Sequence, residues 1–176
     1  GYSALNANTT ADANTAVGYQ ALDACVDGAG NVAVGYSALS TTDDGAYNIG
    51  IGYGALGNGN CGNANIAIGV SAGLVVTGEE NTTIGQNAGY GITSGANNLV
   101  LGADAGRTGS PGGNITTGDN FVCLGDENIT AAHIQVDWTI ASDARDKTDV
   151  EDLSIGLDFV KQLKPKTYRW DKRSQY

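Results

Sequence analysis

The sequence predicts an all-β molecule: a repetitive parallel β-roll, or solenoid, over residues 1–125, followed by a small C-terminal α+β segment. Three observations predict it. The segments Gly1–Leu5 (GYSAL), Gly18–Leu22 (GYQAL), Gly35–Leu39 (GYSAL) and Gly52–Leu56 (GYGAL) recur every seventeen residues. The series continues less faithfully at Gly69, Gly85 and Gly102, then reaches Gly125 after an insertion holding Gly109, Pro111, Gly112 and Gly113. Asparagine stands four residues before six successive glycines, as Asn14, Asn31, Asn48, Asn65, Asn81 and Asn98. A short stretch of period-two alternation precedes each glycine. Self-similarity at a fixed period marks stacked units, none of which buries its apolar face alone.

The alternating stretch is the strand. Large aliphatic residues precede the glycines (Val17, Val34, Ile51, Ile68, Ile84, Leu101, Leu124), and Thr15, Val32, Ile49, Ile66, Thr82, Leu99 and Val122 stand two places earlier. Between them come mostly small residues: Ala16, Ala33, Gly50, Ala67 and Thr83. Period two places the two sets on opposite faces. One face is broad and apolar. The other admits little more than a methyl group, which suits a flattened coil interior or a crowded axis.

The glycine permits positive φ or close backbone approach at a corner. Asparagine tolerates a turn and can bond to its own backbone; stacked rung on rung, the asparagines form an amide ladder. We read that ladder as structural, and Tyr2, Tyr19, Tyr36 and Tyr53 as a packing ladder rather than a glycan-stacking surface. One rung is too thin to enclose a core, and an exposed apolar stripe of this length is rare in monomers. A symmetric homo-oligomer covers it economically. Eight corners at about 4.8 Å each give a body roughly 35–40 Å long.

Composition agrees. Glycine accounts for 27 of 176 residues, about twice the usual ~7%, and all but Gly156 fall before residue 142. Methionine is absent, so we expect a piece of a longer protein. Residues 1–141 hold twelve acids against Arg107 alone; residues 142–176 hold seven acids against eight Lys and Arg. A formal charge of −11 therefore meets one of +1 near Ala141, a boundary between two physical types of chain. The acidic body excludes a nucleic-acid partner, since phosphate binding needs clustered cations. No apolar run approaches a membrane span, so no membrane insertion is expected. Cys25, Cys61 and Cys123 lack zinc spacing. Cys25 and Cys61 fall two rungs apart, roughly 10 Å, beyond disulfide reach. They are read as small buried residues. No cofactor or metal is expected, and the GGxGxD run of calcium β-rolls is missing. Thr is too scattered for an ice-binding solenoid.

After Gly125 the pattern changes. Ala132, Ile134, Val136, Trp138 and Ile140 alternate with His133, Gln135, Asp137 and Thr139, which predicts a β neck or connector over 126–141. His133, the sole histidine, is read as a strand residue. Next come Ala141, Ser142, Asp143, Ala144, Arg145, Asp146 and Lys147. Further on, Ser154 can cap a helix with Leu157, Val160 and Leu163 on one face. Pro165 ends it, and Lys161 and Lys164 suit its last turn. Tyr168 and Trp170 follow.

The N-x-x-x-G-x-x-A repeat resembles the left-handed parallel β-roll in the heads of YadA-like trimeric adhesins, and the similar repeats of phage tail fibres. That resemblance covers about 125 residues and implies a homotrimer. The S-D-x-R-x-K run from Ser142 to Lys147, with Leu157, Leu163, Pro165, Tyr168 and Trp170, resembles the start of the endosialidase-type intramolecular chaperone, the self-cleaving C-terminal domain of phage tail spikes and fibres. It covers residues 142–176 and implies further chaperone sequence beyond Tyr176. By this resemblance Ser142 is the nucleophile and Lys147 the general base, with the scissile bond between Ala141 and Ser142; a serine needs an adjacent base, and a lysine of lowered pKa can serve. Asp143 and Arg145 match the motif without a chemical step of their own.

These resemblances imply a phage tail fibre segment on the virion exterior that attaches to a host cell-surface glycan or protein receptor. No turnover enzyme is expected beyond a single-turnover Ser–Lys autoprotease. Two alternatives stay open. A cellular trimeric adhesin head shares the β-roll but should lead to a coiled coil and membrane barrel. A glycan-degrading tail spike needs paired carboxylates in a cleft, and Asp43–Asp44 and Glu79–Glu80 are read as solvated loop charges.

Overall fold

A computed structural model describes residues 1–135. Within them lie seven strands of three residues each: β1 (Thr15–Val17), β2 (Val32–Val34), β3 (Ile49–Ile51), β4 (Ile66–Ile68), β5 (Thr82–Ile84), β6 (Leu99–Leu101) and β7 (Val122–Leu124). They form one parallel sheet in chain order. The described residues contain no helix and build a parallel β-solenoid, as the repeat predicts. Each strand pairs with its counterpart in the next rung: Val32 with Ile49, Ile66 with Thr82, and Leu99 with Val122 across the insertion.

The rungs are tied together outside the strands as well. The Ser37 N–H donates to the Tyr19 carbonyl at 2.9 Å, Leu39 to Ala55 at 2.9 Å, and Tyr47 to Ala29 at 2.9 Å. Strand, corner and loop thus each bond to the neighbouring rung, the accounting that a coil without long strands requires.

The small-residue face is the interior. Ala33, Ala67, Thr83, Val100 and Cys123 are buried at the strand centres, together with Gly50. Leu22, Leu39 and Leu56 close the core opposite them. The core is one side chain deep, which is why the strand centres stay small. After β4 the pattern changes hands. The leucine place becomes Gly73, Gly89 and Gly106, while Val76, Ile92 and Ile115 supply the bulk from three or more residues further along. A β-carbon on Gly89 would meet Thr83 and Ile92, and one on Gly106 would meet Val100 and Ile115. Volume has moved from one wall to the other without opening a gap.

The corner glycine uses both of its freedoms. Gly18, Gly35, Gly52 and Gly69 have φ between 134° and 139°, and a β-carbon on any of them would fall on the carbonyl of the next glycine in the column. Other left-handed positions carry ordinary side chains: Gln20, Leu22, Ser37, Leu39 and Leu56 lie at φ of 50–54°. Asparagine does not take the turn that the sequence reading allowed it. The left-handed residue is the one before it, as in Ala13, Tyr47 and Ala64. The asparagine side chain is therefore free to point inward.

The three cysteines are buried and unpaired. Ala132–Gln135, within the expected neck, show no strand pairing and are exposed. Val136–Ile140, the Ser154–Leu163 helix and the rest of the α+β segment lie outside the described residues. The chain divides into two units, Gly1–Ala132 and His133–Tyr176.

Candidate functional site

The asparagine ladder runs the length of the coil. The Asn48 N–H donates to Asn31 Oδ1 at 2.8 Å, Asn65 to Asn48 at 2.8 Å, Asn81 to Asn65 at 3.0 Å and Asn98 to Asn81 at 3.2 Å. It ends where Phe121 replaces asparagine and its N–H donates to Asn98 Oδ1. The side-chain N–H groups of Asn31, Asn65, Asn81 and Asn98 donate to the loop carbonyls of Gly45, Gly78, Gly95 and Gly118 at 2.8–2.9 Å. Every side-chain oxygen from Asn31 to Asn98 accepts within the column, and among these side-chain nitrogens only Asn48 Nδ2 lacks a partner, so this column is a scaffold. Among the described residues no group of three or more His, Cys, Asp or Glu could hold a metal.

Two features face solvent on the coil. The tyrosine column is a continuous stack: ring centroids lie 5.5 Å apart between Tyr2 and Tyr19, and 5.0 Å apart from Tyr19 to Tyr36 and Tyr36 to Tyr53, with planes 7–11° from parallel. Rung spacing alone sets that distance. The second is the aliphatic stripe. Val17 is 57% exposed, Val122 63%, and Ile51, Ile68 and Ile84 nearly 40%, so the broad apolar face is open on six of the seven strands and half-buried at Val32 and Val34 of β2.

The insertion builds a third feature. The chain leaves the coil after Gly106 and returns at Ile115, whose N–H donates to the Gly106 carbonyl at 3.0 Å. Buried Ser110 anchors the excursion through its hydroxyl to the Asp104 carbonyl at 3.1 Å. Beside it opens a cleft of about 510 Å³ lined by Tyr90, Asp104, Arg107, Asn114, Asp126 and Glu127 among others. The Arg107 guanidinium sits 5.3 Å from the Tyr90 ring centroid, one rung above it, and pairs with the Asp104 carboxylate. Asn87 donates to that same carboxylate at 3.0 Å. The Asn87 hydrogen bond and then Arg107 hold Asp104 below the usual carboxylate range. Nothing in the sequence reading singled out this cleft; the interrupted period and the lone cation of the body were its available signals.

Other expected candidates stand apart from it. Asp43, Asp44, Glu79 and Glu80 are exposed on loop corners. Asn60 donates to Asp44 at 3.1 Å, and Asn63 to Glu79 at 3.4 Å. His133 is exposed. Burial raises the Cys25 thiol, and raises that of Cys61 to about 11, so neither is a nucleophile at neutral pH. Ala141, Ser142, Asp143, Arg145 and Lys147 lie outside the described residues.

Comparison with known proteins bears on that last group. Residues 142–175 match the chaperone of endosialidase. The match begins at Ser142, where the charge and glycine content change, and spans about a fifth of the chain. That match, downstream of a parallel β-solenoid, supports a phage tail fibre-type protein. No curated protein and no solved structure matches the chain.

Proposed function

We propose that the chain is a segment of a homotrimeric phage tail fibre that attaches the virion to its host's surface, with the chaperone segment promoting trimer formation and then separating by self-cleavage. The observation that carries this reading is the junction: a chaperone-of-endosialidase match that starts at Ser142, directly downstream of a coil with an open aliphatic face. Half-exposed Val and Ile each return about 1 kcal/mol on burial. Seven rungs of them make an association surface where one would not. The occupants are two further copies of this chain.

A template for such a trimer answers a kinetic problem. Intertwined parallel β structure is dominated by non-local contacts, folds slowly and exposes unpaired edges while it does so. Removing the template afterwards leaves the fibre trapped behind its unfolding barrier. In the proposed step, neutral Lys147 takes the proton from the Ser142 hydroxyl, and Oγ adds to the Ala141 carbonyl carbon. The Ala141–Ser142 C–N bond breaks as the nitrogen gains a proton. Water then hydrolyses the Ala141 ester, which frees the Ala141 carboxylate and restores the serine hydroxyl.

Intact mass of the full-length product tests the chemistry. Cleavage after Ala141 is expected with Ser142 present, and an unbroken chain with Ser142→Ala or Lys147→Ala. Equal masses for all three defeat the autoprotease. Light scattering tests the trimer and retention on host cells tests attachment, each independently of the others.

A further inference from the structure

We infer that the cleft beside the insertion is a binding site for neutral saccharides. The inference rests on the host-attachment reading and gives that attachment a place and a ligand class. The cleft lies where the repeat is interrupted: β6 to β7 spans 23 residues where the other steps span 16 or 17. In a solenoid, extra residues leave the stack as loops on one face, commonly the binding face. This excursion is ordered by its own bonds, with the Ser110 hydroxyl donating to the Asp104 carbonyl at 3.1 Å and the Gly113 N–H donating to the Ser110 carbonyl at 2.8 Å. The cleft volume of about 510 Å³ falls within the range of small-molecule sites, roughly 300–1,000 Å³.

Its chemistry selects the ligand. Tyr90 is 38% exposed, with the Arg107 guanidinium covering one face of its ring. Around it stand planar hydrogen-bonding groups: the Asp104 carboxylate, the Arg107 guanidinium and the Asn114 carboxamide, with Glu127 across the insertion. Such groups meet vicinal hydroxyls two at a time, while the part of the Tyr90 ring left open beside Arg107 can take the C–H groups of a sugar. Several are held before any ligand arrives. Arg107 is fixed between Tyr90 and Asp104, and Asn128 donates to both oxygens of Asp126 at 3.0 and 2.7 Å; fixed groups lose less entropy on binding. No aliphatic side chain lines the cleft, so it lacks the anchor pocket that a peptide side chain would fill. Three carboxylates against one guanidinium repel an acidic sugar or a phosphate. A neutral, hydroxyl-rich ring fits what remains.

The test presents immobilised neutral hexose and N-acetylhexosamine oligosaccharides, beside sialylated and hexuronic-acid ones, to the full chain. Neutral oligosaccharides are expected to bind and acidic ones to fail. Tyr90→Ala and Asn114→Ala should each weaken binding by about tenfold or more, equivalent to ~1.4 kcal/mol. Tyr90→Phe, which keeps the ring, and Tyr47→Ala, at an exposed tyrosine outside the cleft, should leave it within about twofold. Binding that is indifferent to Tyr90→Ala and Asn114→Ala overturns the site, as does a preference for acidic glycans. Attachment to host cells without saccharide binding overturns the site and spares the attachment reading. Saccharide binding without cell attachment does the reverse.

Discussion

At the scale of single residues, the coil depends on side chains that bond along its axis rather than within their own rung. Asn65 receives the Asn81 N–H and side-chain N–H on one oxygen and donates to the Gly78 carbonyl and to Asn48 Oδ1. Asn65→Ala removes these together and leaves buried groups without partners, so a loss of about 2–4 kcal/mol in denaturant unfolding is expected. Gly52 is constrained differently. Its φ of 134° and the Gly69 carbonyl beside it leave no room for a methyl group, and Gly52→Ala should lose more than about 2 kcal/mol. Cys61 carries a pH signature. Its thiol is raised mainly by burial, from 9.0 to about 11; the folded state therefore holds the proton between those values while the unfolded state releases it. Stability is fully present below pH 9 and falls as pH rises toward 11, by about 2–3 kcal/mol in all. Unfolding midpoints across that window should drop for the wild type and stay flatter for Cys61→Ser. The corner glycines and the asparagines were legible in sequence because each does one thing at a fixed offset. Leu22 and Leu39 at φ near 50° were not, because leucine carries no mark of a left-handed backbone that stacking imposes on it.

At the scale of the rung, two ways of filling the same narrow interior follow one another. Rungs with Leu22, Leu39 and Leu56 place bulk at the corner and keep the strand centre to Ala or Gly. Rungs with Gly73, Gly89 and Gly106 place it at Val76, Ile92 and Ile115 and enlarge the strand centre to Thr83, Val100 and Cys123. Ile92 is fully buried between a glycine and a small threonine, with little nearby that can collapse into its place. Ile92→Ala is accordingly expected to lose about 3–5 kcal/mol, the upper part of the range for such truncations, measured by thermal or denaturant unfolding. Period-two alternation revealed the strands and their register but left open whether the small face lined an interior or an axis; only closure of the coil decides that. The cleft was harder to read. Tyr90, Arg107 and Glu127 come from three different rungs, and the insertion that joins them has no period by which to align it.

At the scale of the whole molecule, the open aliphatic stripe and the acidic charge act in opposite directions on assembly. Each copy carries a formal −11 over residues 1–141, so bringing copies together concentrates negative charge; burial of the stripe must exceed that repulsion. Two consequences follow for the proposed trimer. Raising salt from about 0.01 to 0.15 M shortens the screening length from roughly 30 to 8 Å and should strengthen association rather than weaken it. Ile68→Asp should do the opposite at any salt. Ile68 stands in the middle of the stripe between Ile51 and Ile84, and a carboxylate there is either stripped of water on assembly, at several kcal/mol per chain, or it holds the copies apart. Its side chain lies outside the core that Leu56, Ala67 and Val76 form, so the single coil should keep its fold. Thr77→Asp, on an exposed corner, adds the same charge away from the stripe and serves as the control. Light scattering should find three chains for the wild type and for Thr77→Asp, and one for Ile68→Asp with an unchanged β-rich circular-dichroism spectrum. Three chains in all cases would remove the stripe as the interface; one chain in all cases would remove the trimer.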